Sequence, residues 1–173
     1  MQDAITSIIN KYDLSGKYLD MAGMENLVAY FNSGVDRLQI ASFINKEAAS
    51  IVKEASERLF SDQPELLRPP GNALTGNAYT TRRYAACLRD IEYYLRYASY
   101  AIVAGNNNIL DERVLNGLRE TYNSLLVPIA PTIKVISILK VIIEEKFVTN
   151  SREKEILSSS FEHMIYSLTN SDI

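Results

Sequence analysis

Apolar residues recur every three or four positions along almost the whole chain of 173 residues, and no segment shows sustained strand-like alternation. The first apolar stripe contains Ile5, Ile8 and Ile9, and a second follows over residues 21–32. Residues 35–60 predict one long helix or two abutting helices. Later helices are predicted over about 79–104, 111–125, 131–147 and 152–168. The spacing therefore predicts an all-α fold.

Glycine and proline mark the predicted ends of these helices. Gly34 is expected just after the second helix, where a left-handed residue often ends a helix. Pro64 and the segment 68–72, which contains two adjacent prolines, cannot continue the third helix. Within the following loop the tripeptide Gly-Asn-Ala occurs at 71–73 and again at 76–78. This repetition indicates a short local duplication, which a surface loop accommodates at little cost.

Length and charge restrict the class of protein. A chain of 173 residues suits one domain with a core large enough to need no disulfide or metal. A net charge of -3 gives no electrostatic support for nucleic-acid binding. The longest apolar stretch, 127–143, is interrupted by prolines and lysines, and the N-terminus lacks the apolar core of a signal peptide. We expect a soluble, intracellular, one-domain protein.

The single cysteine, Cys87, lies among charged and aromatic residues on a predicted helix. Lone cysteines are ordinarily buried as small apolar side chains. Here, however, Arg83, Asp90 and Tyr94 share a helix face with Cys87, because the four positions are spaced i, i+4, i+7 and i+11. Arg83 and Arg89 are expected to stabilise the thiolate. A face of this kind suits a large, planar, partly anionic ligand held through a thioether.

Catalytic patterns have little support in the sequence. The only histidine, His163, lies beside apolar residues of the last predicted helix, which favours a structural role. No cysteine and histidine cluster has zinc spacing, and no glycine-rich phosphate loop is present. A haem globin would need an axial ligand from a central helix, which a histidine near the C-terminus does not provide. The charge clusters at 111–113 and 144–146 are interpreted as solvated helix faces.

Long motifs of the chain resemble phycobiliprotein β subunits over essentially its whole length. The motifs of the bilin-attachment region and the helix after it are YTTRRYAACLRD at 79–90, YYLRYA at 93–98 and LDERVLNGLRETYNSL at 110–125. The segments that resemble the allophycocyanin β branch are MQDAIT at 1–6 and GKYLD at 16–20. PELLRP at 64–69 and the longer C-terminal region resemble the minor β-type subunit of the phycobilisome core.

This resemblance implies a globin-like helical domain with two additional N-terminal helices. Residues 1–34 would contain the helices that pair α with β subunits, and residues 35–173 would form the globin-like, bilin-binding part. An unpartnered apolar helix face usually marks a partner surface. From periodicity alone, the two N-terminal helices could equally fold back onto their own domain.

The resemblance also implies one phycocyanobilin, joined by a thioether to Cys87. The family's second β-chain site needs another cysteine, and this chain has none. Asp90 would accept hydrogen bonds from the inner pyrrole nitrogens. Either Arg82 or Arg83, together with Arg89, would bind the propionates. The aromatic residues expected to line the pocket are Tyr93, Tyr94 and Tyr122.

By the same resemblance, Asn77 matches an asparagine that the family N-methylates, although the duplicated tripeptide also offers Asn72. The chain departs from the family pattern at two places. The loop over 70–79 is about four residues longer than usual. Leu126 and Ala130 replace glycines of the family, which leaves the local turn geometry open.

The expected function is therefore a light-harvesting subunit of the phycobilisome core at the thylakoid surface, and not an enzyme. Its expected partners are an α-type domain, that of the core-membrane linker being favoured, the other allophycocyanin subunits in trimeric (αβ)3 discs, and the core linker. A chain rich in Ile, Lys and Asn favours a red-algal plastid over a cyanobacterium. The alternatives are a structural core subunit without pigment and a globin-like sensor or ligand-binding module.

Overall fold

The structure, a computed structural model, describes residues 2–69 and 77–170. This part of the chain contains helices and no strands, which confirms the predicted all-α class. No helix in these two ranges is long and apolar enough to cross a membrane. The helices are α1 Ala4–Leu14, α2 Met21–Asn32, α3 Gly34–Asp62, α4 Thr81–Ala104, α5 Asn108–Leu110, α6 Leu118–Ser124, α7 Ile129–Lys146 and α8 Ser151–Asn170.

Side-chain caps explain where several helices begin. Asp3 accepts a hydrogen bond from the Thr6 N–H at 2.7 Å, and Asp20 accepts one from the Gly23 N–H at 2.9 Å. Thr80 caps α4 in the same way, by accepting from the backbone N–H three residues later. Helix α3 runs unbroken for 29 residues, which decides between the one long helix and the two shorter helices predicted for this region.

The core lies between α3, α4, α7 and α8. Each of these helices contributes apolar side chains that are almost completely buried, among them Ile44, Leu95, Leu139 and Phe161. Burial of one such side chain contributes about 1.5–3 kcal/mol to the free energy of unfolding. The four helices therefore form the scaffold on which the rest of the chain is arranged.

Ion pairs join α7 to α3 at the edge of this core. Glu145 of α7 lies 2.7 Å from Arg58 of α3, and Lys146 pairs with Glu54 of α3. Glu145 and Lys146 are exposed, as expected for a solvated helix face, but the sequence did not show that they also pair with another helix. These charges connect two helices, although exposed pairs of this kind contribute only about 0–1 kcal/mol each.

The first two helices pack mainly on each other. Helix α1 has no buried residue, and α2 buries only Gly23, which lies against the ring of Tyr12. The Tyr12 hydroxyl donates to Asp20 at the start of α2, which ties the pair together. Among the described residues, the apolar side chains that remain exposed on this pair include Leu14, Met21, Met24, Val28 and Phe31. The structure therefore does not fold these faces back onto the domain.

The sequence predicted one continuous helix over 111–125, and this prediction is wrong because the helix is broken. A π-helical turn spans Asp111–Leu115, and Gly117 then adopts φ 76° before α6 begins. Only glycine enters this left-handed region without strain, which explains the break. Gly34 directly follows Ser33, the C-cap of α2, as predicted, but it is not left-handed and is already the first residue of α3.

Leu126 occupies a left-handed conformation, with φ 54°. Leu126 is one of the two positions where this chain replaces a glycine of the family it resembles, so that the local turn geometry could not be predicted. The other, Ala130, lies in the first turn of α7, where alanine is the best helix former. The replacement of glycine therefore strains the backbone at Leu126 and not at Ala130.

Gly105 and Gly117 both have a positive φ, but their surroundings differ. A Cβ added at Gly105 would lie 2.8 Å from the Tyr30 ring and 3.1 Å from Arg37, whereas one added at Gly117 would meet nothing within 4 Å. We expect Gly105→Ala to lower the free energy of unfolding by about 2–4 kcal/mol, because strain and overpacking add, and Gly117→Ala by about 1–2 kcal/mol. Urea denaturation followed by far-UV circular dichroism measures both. Equal losses would contradict this account.

Leu126 and Leu125 form a matched pair for testing backbone strain, since they are 56% and 61% exposed. Leu125 has φ -91°, which any residue adopts easily. We expect Leu126→Gly to raise the free energy of unfolding by about 0.5–1 kcal/mol, because relief of the left-handed conformation exceeds the entropy cost of glycine. Leu125→Gly should lower it. Destabilisation by both substitutions, in the same urea titration, would show that Leu126 is not strained.

Candidate functional site

A cleft of about 880 Å³ opens along α4. Its other walls come from the end of α3, from α6 and from the turn that leads into α7, with Phe60, Tyr122, Pro128 and Thr132 among the lining residues. Ligand-binding pockets in proteins commonly have volumes of roughly 300–1,000 Å³. The cleft is therefore large enough for a sizeable organic ligand.

The four residues predicted to share a face of α4 all line this cleft: Arg83, Cys87, Asp90 and Tyr94. Helical spacing thus placed them correctly. Cys87 is half-buried on the wall of the cleft, in contact with the apolar core on one side. The cleft therefore offers a sulfur, a cation, a carboxylate and a phenol to one ligand.

Burial, which is the larger cause, and the negative charge of Asp90 together raise the pKa of Cys87 from its ordinary value of 9.0 to about 11. The expectation that arginines would stabilise a thiolate here is therefore wrong. Arg89 Nη2 lies 3.7 Å from Asp90 Oδ1, and Arg83 Nη1 lies 3.5 Å from Asn77 Oδ1. Both arginines thus lie beside other polar groups, and the desolvation of the sulfur keeps the thiol protonated at neutral pH.

Asp90 is one end of a short hydrogen-bonded series of side chains, with Tyr122 in the middle and Tyr94 at the other end. The Tyr122 hydroxyl donates to Asp90 Oδ2 at 3.0 Å, and the Tyr94 and Tyr122 hydroxyl oxygens lie 2.5 Å apart. Burial raises the pKa of both phenols far above the ordinary range of tyrosine. Both hydroxyls are therefore neutral hydrogen-bond donors at any physiological pH.

All three predicted arginines line the cleft. Arg82 and Arg89 are exposed at its rim, whereas Arg83 is half-buried. Guanidinium groups bind carboxylates through paired N–H donors. An anionic ligand in the cleft would thus meet positive charge where its carboxylates reach solvent.

Asn77 is buried at one end of the cleft, where both ends of its amide are engaged. Its Nδ2 donates to the Arg68 carbonyl at 2.6 Å, and its Oδ1 accepts from the Tyr79 N–H at 3.4 Å. The alternative methylation site, Asn72, and most of the longer loop at 70–79 lie outside the described residues.

Tyr93 does not line the cleft. Its side chain is 38% exposed, and its ring packs at 4.8 Å from that of Tyr97, beneath the guanidinium of Arg96. Tyr93 and Tyr94 point about 100° apart around the helix, and here that rotation places Tyr93 on the side of α4 away from the cleft. Tyr94, which is 3% exposed, takes the inner position.

Tyr122 of α6 lines the cleft as the resemblance implied, but the sequence analysis missed the other cleft residues that come from α3 and α7. Phe60 of α3 stacks at 5.3 Å on Tyr84 of α4, and Pro128 and Thr132 arrive from the start of α7. Spacing within one helix carries no signal for such contacts, since they depend on how helices pack.

The remaining polar candidates have structural partners. His163 Nε2 lies 2.7 Å from Asp111 Oδ1, which agrees with the predicted structural role of this histidine. Within residues 2–69 and 77–170, no group of three His, Cys, Asp or Glu side chains is placed to hold a metal ion.

Comparison with known proteins identifies the family to which this chain belongs. The model of the phycobilisome protein family matches residues 7–168. Allophycocyanin subunit beta-18 of Porphyra purpurea is 58% identical over the full length of both chains, and its namesake from Synechocystis sp. is 54% identical over 98% of both. A phycobiliprotein beta chain of Mastigocladus laminosus is 53% identical over both full lengths. The chain therefore belongs to the phycobilisome protein family, and the resemblance seen in its motifs is confirmed.

Membership of this family also confirms the globin-like, all-α fold. The chain is a light-harvesting phycobiliprotein subunit of the phycobilisome core. Phycobiliproteins carry covalently bound bilins, allophycocyanin subunits assemble with α subunits, and the phycobilisome is associated with the thylakoid surface.

The raised pKa of Cys87 predicts how its reactivity depends on pH. Only the thiolate reacts with iodoacetamide, so the alkylation rate of the pigment-free chain should rise about tenfold per pH unit up to about pH 11. In the urea-unfolded chain the rate should level off near pH 9, and at pH 7 it should be roughly a hundredfold higher than in the folded chain.

The substitution Asp90→Asn should lower the pKa of Cys87, because it removes a negative charge. That pKa should stay above 9, because burial is the larger cause of the shift. Mass spectrometry of the Cys87 peptide against time gives the rates. A folded chain whose rate levels off below pH 8 would show that the arginines do stabilise the thiolate.

Proposed function

We propose that the chain binds one phycocyanobilin as a thioether on Cys87 and passes the absorbed energy toward the terminal emitter and the photosystem chlorophyll. The observation that carries this proposal is the cleft itself, which brings the Cys87 sulfur, the Asp90 carboxylate and the rim arginines to one ligand. Cys87 serves here for attachment and not for turnover, so the chain is not an enzyme. The single cysteine limits the chain to one bilin.

Attachment through Cys87 requires only the addition of its S–H across a carbon–carbon double bond of the ligand. The sulfur forms the new carbon–sulfur bond, and a proton is delivered to the neighbouring carbon, so no oxidant or reductant is needed. Because the thiol is protonated and half-buried, the folded chain holds it in a slowly reacting form. The cleft must therefore bring the double bond close to the sulfur before reaction occurs.

The remaining residues would hold the ligand in a fixed, extended shape. Asp90 Oδ1 would accept hydrogen bonds from the inner N–H groups, and Arg82 or Arg83 with Arg89 would bind the propionates at the rim. The bilin, when bound, supplies the absorption of visible light. A rigid cleft suppresses internal rotation, so the excited state is lost by transfer or fluorescence in preference to heat.

The exposed apolar faces of α1 and α2 support the proposal that residues 1–34 pair with an α-type subunit, while residues 35–173 form the bilin-binding part. Apolar patches that a chain leaves uncovered usually bind a partner. We favour the α-type domain of the core-membrane linker as this partner. The pair would then join other allophycocyanin subunits and the core linker in trimeric (αβ)3 discs at the thylakoid surface of a red-algal plastid.

Asn77 is proposed as an N-methylasparagine. Its Nδ2 carries two hydrogens, and one of them is donated to the Arg68 carbonyl. A methyl group can replace the other without loss of this hydrogen bond. Modification would make the side chain less polar at the point where it lines the cleft.

The proposed function is tested by denaturing the protein from its native source in acidic urea and recording its visible spectrum. We expect the absorption of unfolded phycocyanobilin and a mass adduct of one bilin on the Cys87 peptide. The same digest should show one added methyl group on the peptide that contains Asn77.

The matched control is Cys87→Ser, produced together with a bilin supply, which should yield a folded, colourless chain. An unmodified thiol in the native protein would overturn the light-harvesting proposal for this chain and favour a structural core subunit. Bound haem in place of bilin would favour the sensor or ligand-binding module.

A further inference from the structure

Two tyrosine hydroxyls lie behind Asp90, on the side away from solvent. Tyr122 Oη is 3.0 Å from Asp90 Oδ2, and Tyr94 Oη is 2.5 Å from Tyr122 Oη. Tyr94 follows Asp90 by one helical turn of α4, whereas Tyr122 comes from α6. The hydroxyl of Tyr122 therefore joins two residues of α4 that are themselves fixed by the same helix.

The direction of these hydrogen bonds follows from proton counting. A phenol has one O–H proton, so Tyr122 can donate to Asp90 or to Tyr94 but not fully to both. A carboxylate is the stronger acceptor, because the bond is charge-assisted. Tyr122 therefore donates to Asp90 Oδ2, and its oxygen accepts the proton of Tyr94.

The two oxygens of Asp90 consequently differ. Oδ2 already accepts from Tyr122, whereas Arg89 Nη2 lies 3.7 Å from Oδ1, beyond a hydrogen bond. The terminal torsion of an aspartate side chain has a broad energy minimum, so without a fixed partner the carboxylate would rotate readily. The bond from Tyr122 selects one orientation, in which Oδ1 faces the cleft.

We propose that Tyr94 is a positioning residue, which acts through Tyr122 to hold Asp90 with one oxygen saturated and the other presented to N–H donors of a ligand in the cleft. Tyr94 thus does more than line the wall, since its hydroxyl donates to the Tyr122 oxygen and so leaves the Tyr122 proton for Asp90. This inference rests on the proposed function only for the identity of the ligand. The hydrogen bond between Tyr94 and Tyr122 is already present in the chain without pigment.

The first test uses the pigment-free chain. Proton NMR should show hydrogen-bonded, slowly exchanging hydroxyl protons for Tyr94 and Tyr122, because both groups are buried. Tyr94→Phe should remove one resonance and shift the other, while Tyr100→Phe, on the exposed side of α4, should change neither. A Tyr122 resonance that does not move in Tyr94→Phe would overturn the proposal. Far-UV circular dichroism confirms that each variant is folded.

The second test is a double-mutant cycle on the chain loaded with phycocyanobilin. Tyr94→Phe and Tyr122→Phe should each shift the visible absorption maximum and reduce the fluorescence yield. If Tyr94 acts only through Tyr122, adding Tyr94→Phe to the Tyr122→Phe chain should produce no further change. Independent, additive shifts would show that Tyr94 acts on the ligand directly and would overturn the proposal.

The two tests separate this inference from the proposed function. The wild-type chain could take up no bilin while its Tyr122 resonance still depends on Tyr94. That result would contradict the proposed pigment and support the proposed positioning of Asp90. A chain that binds bilin but shows additive spectral shifts would keep the proposed function and remove the role of Tyr94.

Discussion

The packing of α4 against α3 is the contact on which the rest of the molecule depends. Helix α4 buries one side against α3, through residues such as Leu95 and Ala98, and presents Cys87 and Asp90 on the adjoining side. The stacked rings of Phe60 and Tyr84 close this contact at the end nearest the cleft. Because both the core and the cleft use α4, a shift of that helix would move the sulfur and the carboxylate together. The geometry of the site is therefore as rigid as the core.

The two N-terminal helices, α1 and α2, are held in place differently from the core helices. Helix α1 buries none of its residues within this chain, so its position relies on α2, through the close approach of Tyr12 to Gly23 and the hydroxyl bond from Tyr12 to Asp20. Apolar burial within the chain contributes little to their stability. A partner that covers these faces would bury their apolar side chains and so stabilise the two helices. The stability of the two helices is therefore coupled to assembly.

Much of the fold could be predicted from the sequence, because amphipathic periodicity and capping residues act locally. The bounds of α2 and the cleft-facing set of Arg83, Cys87, Asp90 and Tyr94 followed from spacing alone. The break at Gly117 and the outward direction of Tyr93 could not be predicted from spacing. Helical spacing allows a continuous or a broken helix at Gly117, and an inward or an outward Tyr93, and only the packing selects between them. The thiol's acidity was misjudged for the same reason: nearby charges are visible in a sequence, whereas desolvation by other helices is not.

The protonated state of Cys87 has a consequence for the life of the chain before it acquires its pigment. Thiolates attack peroxides and disulfides, whereas thiols scarcely react with them, so the fraction of time that the sulfur is ionised sets the rate of oxidative damage. A sulfur with a pKa of about 11 is ionised only rarely at neutral pH. A newly made chain can therefore keep the sulfur of Cys87, the proposed attachment atom, chemically intact until the pigment arrives.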